Sequence, residues 1–219
     1  LVIDSFNEGF LHGELSDTHK QIILSLIFKK NDRKFFKNYR PISLSNTDYK
    51  ILAFVLANRL QKILHKIISP EQVAYIKERY IGQNIRLVLD VIDDSKKVDT
   101  NYVLLFLDFE KAFDSLNWDF IHLSLSAFGF GNNFCHWIKS IYTKPQAFLK
   151  INGFLSERFS INRGIRQGCP LSCLIFIIAT EFMKQVIQQN DKIKGIPLNE
   201  NATIKITQYA DATCLILYD

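Results

Sequence analysis

Two aspartates stand where apolar runs end. Asp108 follows Tyr102-Val-Leu-Leu-Phe-Leu107, and Asp211 lies in Tyr209-Ala-Asp-Ala212, between the runs Ile204 to Thr207 and Thr213 to Tyr218. The second pattern predicts a strand-turn-strand with a carboxylate at its tip. Acids far apart in sequence, each at a strand end, can converge on a pair of divalent cations. Mg²⁺ takes oxygen ligands and keeps waters and phosphate oxygens in its shell, so two or three carboxylates suffice. Two such ions ~3.5–4 Å apart stabilise both the attacking and the leaving oxygen of a displacement at phosphorus. Either aspartate alone is more often a turn or cap residue than a ligand, so the chemistry rests on the pair.

The surrounding pattern predicts mixed elements. Gln21 to Phe28 is a β-rich run that passes through a basic stretch, Lys29 to Arg40, and returns as Pro41 to Ser45, the signature of a hairpin with a long loop. Asn46, Thr47 and Asp48 are N-cap candidates for a helix that Ser69-Pro70 ends. Its apolar residues Ile51, Leu52, Val55, Leu56, Leu60, Ile63, Leu64 and Ile67 follow helical spacing, and Lys50, Arg59, Lys62 and Lys66 occupy its other face. A further helix is expected from Gln83 to about Lys96, with Ile85, Leu89 and Ile92 inward. Helices from about Trp118 to Phe128 and from Asn133 to Tyr142 flank Gly129-Phe-Gly131. Asn152-Gly153 marks a hairpin, and the loop Arg163 to Pro170 opens a helix over Leu171 to Gln188. There is no regular strand-helix alternation, so the expected class is α+β.

A chain of 219 residues with 47% hydrophobic content can bury a sizeable core, and length suggests one domain or one with a lobed extension. A net charge of +5 allows an anionic partner without demanding one. Cys135, Cys169, Cys173 and Cys214 show no C-x-x-C spacing, which argues against zinc. Without a secretory signal the thiols are expected reduced and buried, and the chain intracellular, in nucleus or cytoplasm. The longest apolar stretch, Cys173 to Thr180, falls short of the ~20 residues of a spanning helix, so no membrane is expected. A start at Leu1 and a stop at Asp219 directly after a strand suggest an excerpt from a larger polypeptide.

Three segments carry a specific resemblance: Phe106-Leu-Asp-Phe-Glu-Lys-Ala-Phe-Asp-Ser115, Arg163-Gly-Ile-Arg-Gln-Gly-Cys-Pro-Leu-Ser172 and Gln208-Tyr-Ala-Asp211. They occur in the order found in reverse transcriptases, and the chain resembles most the non-LTR (LINE-type) retrotransposon enzymes. Asn38-Tyr-Arg-Pro-Ile-Ser-Leu44, Tyr49-Lys-Ile-Leu52, Ala57-Asn-Arg-Leu60 and Arg79-Tyr-Ile-Gly-Gln-Asn-Ile85 are similar to that group's fingers motifs. Phe128-Gly-Phe-Gly131 and Asn152-Gly-Phe-Leu-Ser156 add to the likeness, which runs from about Leu15 onward.

The resemblance implies a right-hand polymerase, with fingers over about residues 15–100, palm over about 101–219 and no thumb. It implies an RNA template, a DNA primer, dNTPs and two Mg²⁺ ions; oligomeric state is left open. Asp108 and Asp211 would hold the metals, and the backbone around Phe109 and Glu110 would lie near the triphosphate. Phe113 would exclude a ribose 2′-hydroxyl, although outside that motif a core aromatic is the simpler reading. Asp114 reads as a helix cap beside Ser115. Gln167 and Gly168 match the loop that closes the nucleotide pocket, while Arg166 is ambiguous. Lys29 or Lys30, with Arg40, would reach the triphosphate from a fingertip whose usual Pro and Gly are replaced by Lys30-Asn31-Asp32. Arg59, Lys62, Arg79 and Tyr209 are expected on the template and primer side, and Glu78 stands where the family commonly has Gly.

The largest departure is Ala212, the position of the family's second Asp. Loss of that carboxylate should weaken metal binding and leave transition-state charge less compensated. A decayed or deliberately inactivated copy, a nucleic-acid-binding module without turnover, is the alternative to an impaired enzyme. A cyclase-like palm enzyme is a third reading, disfavoured by the Arg-Gln-Gly loop and the basic fingertip.

Overall fold

The structure, a computed structural model, describes residues 1–98, 101–199 and 202–218. In chain order its elements begin with α1 (Val2–His12), α2 (Asp17–Lys20), β1 (Gln21–Phe28), β2 (Tyr39–Ser45), α3 (Thr47–Ile67) and α4 (Ile81–Val98). Then come β3 (Tyr102–Leu107), α5 (Ala112–Ser115), α6 (Trp118–Ala127), α7 (Asn132–Tyr142), β4 (Gln146–Ile151), β5 (Phe154–Leu155) and β6 (Phe159–Ser160). The last are α8 (Pro170–Gln189), β7 (Ile196–Asn199), β8 (Ala202–Ile204), β9 (Ile206–Tyr209) and β10 (Ala212–Tyr218). The class is α+β, as the unalternating pattern requires. The chain divides into two units, each assembled from two stretches: Leu1–Arg59 with Phe113–Ser172, and Leu60–Ala112 with Cys173–Asp219.

The first unit is organised by β1. It pairs antiparallel with β2, from Ile22↔Ser45 to Phe28↔Tyr39, and parallel with β4, from Gln21↔Gln146 to Ser25↔Lys150. The predicted hairpin is present, with β2 starting two residues earlier than Pro41. Asn152 and Gly153 both have positive φ, 50° and 88°, as a two-residue turn of the twist-matching hand demands. The helix α1 was not foreseen, although Phe6 and Phe10 lie one turn apart and Gly13 ends it in the left-handed conformation. His136 Nε2 donates to the carbonyl of Phe10 at 2.6 Å, and Trp137 packs on the Phe10 ring at 4.9 Å, which ties α1 to α7.

The second unit holds the sheet β3-β10-β9 and the hairpin β7-β8. Val91, Ile196, Ile204, Cys214 and Ile216 form its buried cluster, with Leu87, Val88, Tyr102 and Leu104 against it. This corrects the expected inward face of α4. Ile85 and Leu89 are more than half exposed and Ile92 is exposed too. The helix is apolar on two faces, and the Asn84 side chain, donating to Gln208 O at 2.8 Å, turns the Asn84-Val88-Val91 face inward. On α3 the buried stripe is Leu52, Leu56, Leu60, Leu64 and Ile68, completed by Ala53 and Ala57; Ile51, Val55 and Ile63 lie outside it.

The apolar run Ile204 to Thr207 is not one strand. It breaks at Lys205, whose ammonium donates at 2.9 Å to Gln188 O and Asn190 O and so satisfies carbonyls at the end of α8. That helix is also longer than its apolar run suggested: 20 residues, with a mean hydropathy of 1.5 over an 18-residue window, enough by length and composition to cross a membrane. Yet 56% of that window is buried in the protein, and the helix carries Glu181 and Lys184 inside. Of the cysteines, none of which is disulfide-bonded, Cys169 and Cys214 are buried, whereas Cys135 and Cys173 are only half-buried.

The loop before α8 depends on one glycine. Gly164 has φ +87° and lies so close to Asp114 that an added Cβ would sit 2.8 Å from its carbonyl oxygen. Its amide donates to Leu116 O, Ile165 N donates to Phe113 O, and Trp118 Nε1 donates to Gly164 O, all at 2.7 Å. Gly129 also has positive φ, but nothing lies within 4 Å of its missing Cβ. Gly129→Ala should therefore cost only the left-handed penalty of ~1–2 kcal/mol. Gly164→Ala should cost clearly more, about 3 kcal/mol or above, because a backbone neighbour must also shift. Chemical denaturation of the two variants checks this; equal losses would contradict it.

Candidate functional site

The acidic residues belong to the second unit. Tyr209 pairs with Ala212 across a two-residue turn, Ala210-Asp211, so the predicted strand-turn-strand with an acid at its tip is present. Ala210 has φ +55°, in the region an L side chain enters at a cost of ~1–2 kcal/mol. The pairing of β10 with β3 ends at Thr213↔Leu107, and one step further along that register Asp108 comes opposite Ala212. Residues paired across a ladder share a face. Carried one step past its last pair, that register would set the side chain at 212 across from Asp108, and in this chain it carries no oxygen.

Asp108 is exposed and Asp211 half-buried, and among the described residues neither carboxylate is engaged in a hydrogen bond or ion pair. Their donor atoms are hard oxygens, the type Mg²⁺ selects, so the residues present fit that ion. Among the described residues no three His, Cys, Asp or Glu side chains converge as a preformed cage. Tyr209 is exposed at the end of β9. Two neighbours went unrecognised in the sequence. Tyr75, at φ +60°, has its phenol pushed up to about 12 by burial, by its hydrogen bond to Cys173 and by the charge of Asp211. Gln72, which is 1% exposed, bonds to the turn through its carboxamide. Neither is among the residues on which the resemblance was read; their contacts become visible only once the chain folds.

The other predicted residues of this unit have identifiable surroundings. Arg79 spends its fork on the chain: Nη1 donates to Ser69 O at 2.6 Å and Gln72 O at 2.8 Å, and Nη2 to Ile68 O at 2.9 Å. These are carbonyls at and just past the end of α3, where a cation is favourable. Glu78 has φ +67°, a glycine-favouring conformation at the place where the resemblance led one to expect Gly. Glu181 is fully buried; burial pushes its carboxyl up, opposed by Ser69 Oγ at 2.6 Å and by Lys184. Lys62 is exposed on α3; Arg59, the last residue of the first unit's opening stretch, is exposed as well. Phe109 is exposed beyond β3.

The nucleotide-side candidates other than Phe109 lie in the first unit. Lys29, Lys30 and Arg40 are exposed at the open end of the β1-β2 hairpin, where Lys29 N donates to Asn38 O at 2.9 Å. Asp32 orders the loop by accepting from Lys34 N, and Asn31 supplies a φ of +68°. Arg33 lies 4.7 Å above the Phe28 ring. Ser43 N donates to Gln167 O at 2.8 Å, bringing the loop before α8 against β2. Gln167 Nε2 donates to Asp114 Oδ1 at 2.8 Å, so Asp114 is a loop anchor within α5 and not the cap expected. Gly168 has φ +100°.

Arg166 is buried at 4% exposure. Its guanidinium stacks 3.8 Å over Tyr49, with long contacts to His19 O and Ile141 O, which settles its ambiguity in favour of packing. A cavity of about 190 Å³ lies under this loop, lined by Ile22, Ser43, Asp114, Trp118, Arg163 and Gln167 among others. Phe113 is half-buried, neither a full core residue nor a free surface ring.

Comparison with known proteins identifies the arrangement. A family profile described as reverse transcriptase (RNA-dependent DNA polymerase) matches residues 27–218. The chain is 34% identical over 213 residues, 97% of its length, to the transposon TX1 uncharacterized 149 kDa protein of Xenopus laevis. It is 31% identical over 140 residues, 64% of its length, to the retrovirus-related Pol polyprotein from type-2 retrotransposable element R2DM of Drosophila melanogaster. It spans only 16% and 13% of those two proteins. Among solved structures, apo telomerase from Candida tropicalis truncated from its C-terminal domain superposes with a TM-score of 0.61 at 12% identity, over 93% of this chain and 45% of that one. Telomerase of the same organism in complex with a fragment of telomeric RNA gives 0.60 over 99% and 40%. At that identity the likeness concerns the fold, the right-hand polymerase fold, while the profile covers most of the sequence: the chain belongs to the reverse transcriptase (RNA-dependent DNA polymerase) family.

Proposed function

We propose that this chain is the fingers and palm part, about residues 15–100 and 101–219, of a non-LTR (LINE-type) retroelement reverse transcriptase, adding dNTPs to a DNA primer on an RNA template. The observation that carries the reading is the pair of unengaged carboxylates, Asp108 past the end of β3 and Asp211 in the β9-β10 turn, within one sheet of a chain that matches the family. Asp108 and Asp211 are the residues that would hold two Mg²⁺ ions. Bound there, the ions would stabilise the entering and leaving oxygens at the α-phosphate. Tyr209, Arg59 and Lys62 are proposed on the template and primer side, where the two basic groups neutralise phosphates at a salt-dependent gain, whereas Arg79, expected there from the resemblance, has its guanidinium engaged by the carbonyls of Ile68, Ser69 and Gln72 and is proposed to hold that segment. The backbone near Phe109 and the loop at Gln167 and Gly168 are proposed to face the nucleotide.

Alternation along β1 bears on the fingertip. Arg40 is the cross-strand partner of Ile27, and the alternation of β1, carried past its end at Phe28, would put Lys29 on the same face and Lys30 on the other. Lys29 is therefore the proposed partner of Arg40 at the triphosphate. A second reading, a catalytically inert nucleic-acid-binding module, is favoured by Ala212, which leaves Asp108 without an acidic cross-strand neighbour.

The deciding experiment is Mg²⁺-dependent primer extension by the full-length polypeptide with and without Ala212→Asp. Restoring the carboxylate should raise extension by ~10² or more, the size of one lost transition-state stabiliser. Robust extension with Ala212 in place would overturn the impairment, and no extension by either form would favour the inert module.

In the Ala212→Asp background, Lys29→Ala should raise KM for dNTP by about tenfold or more, as expected for one charge-assisted contact, and Lys30→Ala by much less. The reverse order would assign the contact to Lys30.

Phe113→Val in the same background should lower the ratio of kcat/KM for dNTP over rNTP, mainly through better rNTP use. If Phe113 is only a packing residue, truncation to Ala should instead cost up to ~3–5 kcal/mol of stability and harm both nucleotides equally. Thermal unfolding measured beside the two rates separates these outcomes.

A further inference from the structure

Ala210 is an alanine in a conformation that suits glycine, one residue before the acid on which the site depends. Something outside the turn must hold it there. The Gln72 carboxamide bonds to both backbone groups of this one residue: Oε1 accepts from Ala210 N at 3.0 Å, and Nε2 donates to Ala210 O at 3.3 Å. The amide N–H belongs to the peptide plane that precedes Ala210 and the carbonyl to the plane that follows it. Fixing both planes fixes the two backbone dihedrals between them. The same oxygen accepts from Ala74 N at 3.0 Å. Two backbone amides can only donate, so the orientation of the carboxamide is determined by its partners.

Gln72 is itself anchored. It forms a parallel bridge with Gln208, flanked by Gln208 N donating to Glu71 O at 2.9 Å and Val73 N donating to Gln208 O at 3.1 Å. Arg79 Nη1 holds the carbonyl of Gln72. The segment Glu71-Gln72-Val73 thus runs along the open edge of β9 and reaches past its end to the turn. At 1% exposure, the carboxamide does not exchange its bonds with water.

We propose that Gln72 is a positioning residue for the metal-site turn, holding Ala210 in its left-handed conformation so that Asp211 is presented in one orientation. The inference rests on the reading of Asp211 as a metal ligand. A loosened turn would leave the carboxylate intact but presented in its working orientation only part of the time. The signature is a higher metal requirement, not a lost nucleotide contact.

The test uses the full-length polypeptide carrying Ala212→Asp, with Gln72→Leu, Gln72→Glu, Ala210→Gly and the Gln72→Leu/Ala210→Gly double variant. Gln72→Glu keeps the acceptor for both amides but sets a carboxyl oxygen against Ala210 O, a nearly isosteric change that guards against a failure of Gln72→Leu to fold. Gln72→Leu should raise the Mg²⁺ concentration for half-maximal extension about tenfold, as expected when buried hydrogen bonds are lost, with KM for dNTP little changed. Gln72→Glu should fall between. Ala210→Gly should be nearly neutral alone, yet recover part of the loss in the double variant, because glycine enters the left-handed region without a steric penalty. Hydrogen exchange at the Ala210 amide should quicken in both Gln72 variants. An unchanged Mg²⁺ requirement, or a double variant no better than Gln72→Leu, overturns the assignment. If no form extends primers, the polymerase reading fails instead; exchange then decides alone, and unchanged protection at Ala210 overturns the role of Gln72.

Discussion

The ladder between β3 and β10 is the interaction on which the acidic site depends. Side chains in a strand alternate with a period of two, so a slip of one residue would turn all of β3 to its other face. Two features hold the register. Tyr102 packs against Tyr218 at the far end of the ladder, with ring centroids 6.1 Å apart. On one side of the sheet, Leu104 and Ile216, themselves register partners, pack into the cluster beneath α4. With those fixed, residue 212 is the position that the register, carried one step past its last pair, brings toward Asp108.

Around this apolar frame the second unit places several buried or half-buried polar groups. Lys184 reaches Glu71 Oε2 at 2.7 Å, Glu181 meets Ser69, and Arg79 and Lys205 each spend their charge on helix-end carbonyls. Buried ionic groups add little net stability, but removing one partner strands the other, at ~3–5 kcal/mol. Each of them pins the ends of α3 or α8, or the short segment between α3 and α4. That is the segment beside β9. Polar burial here specifies where irregular backbone lies, which apolar packing, being non-directional, does poorly.

Much of the architecture was legible because its signals are local. Asn46, Thr47 and Ser69-Pro70 bound α3 by cap and breaker chemistry, Asn152-Gly153 marked a turn that needs positive φ, and the acid-tipped hairpin was visible from two apolar runs. Facing was less legible. The periodicity of α4 fits either Ile85, Leu89 and Ile92 or Leu87, Val88 and Val91, and the choice is made by Asn84 reaching a carbonyl 124 residues away. The break at Lys205 escaped for the same reason, since its partners are the carbonyls of another element. Gln72 was invisible because its partner is the backbone of Ala210, 138 residues later, and a backbone group leaves no residue type to read.

The interleaving of the two units has a consequence for how the molecule is made. On a ribosome β1 is followed by its antiparallel partner, β2, after a loop of ten residues. Its parallel partner β4 comes about 125 residues later, so at ~5–20 residues per second one edge of β1 stays unpaired for roughly 6–25 s. That edge carries Ile22, Ile23 and Leu24, an apolar strand with open hydrogen-bonding groups, the kind of surface that recruits other chains. The second unit has a similar wait, because β3 meets β10 only about 110 residues later. Neither unit can close before its second stretch has been made, and shielding those edges during synthesis falls to whatever holds the nascent chain.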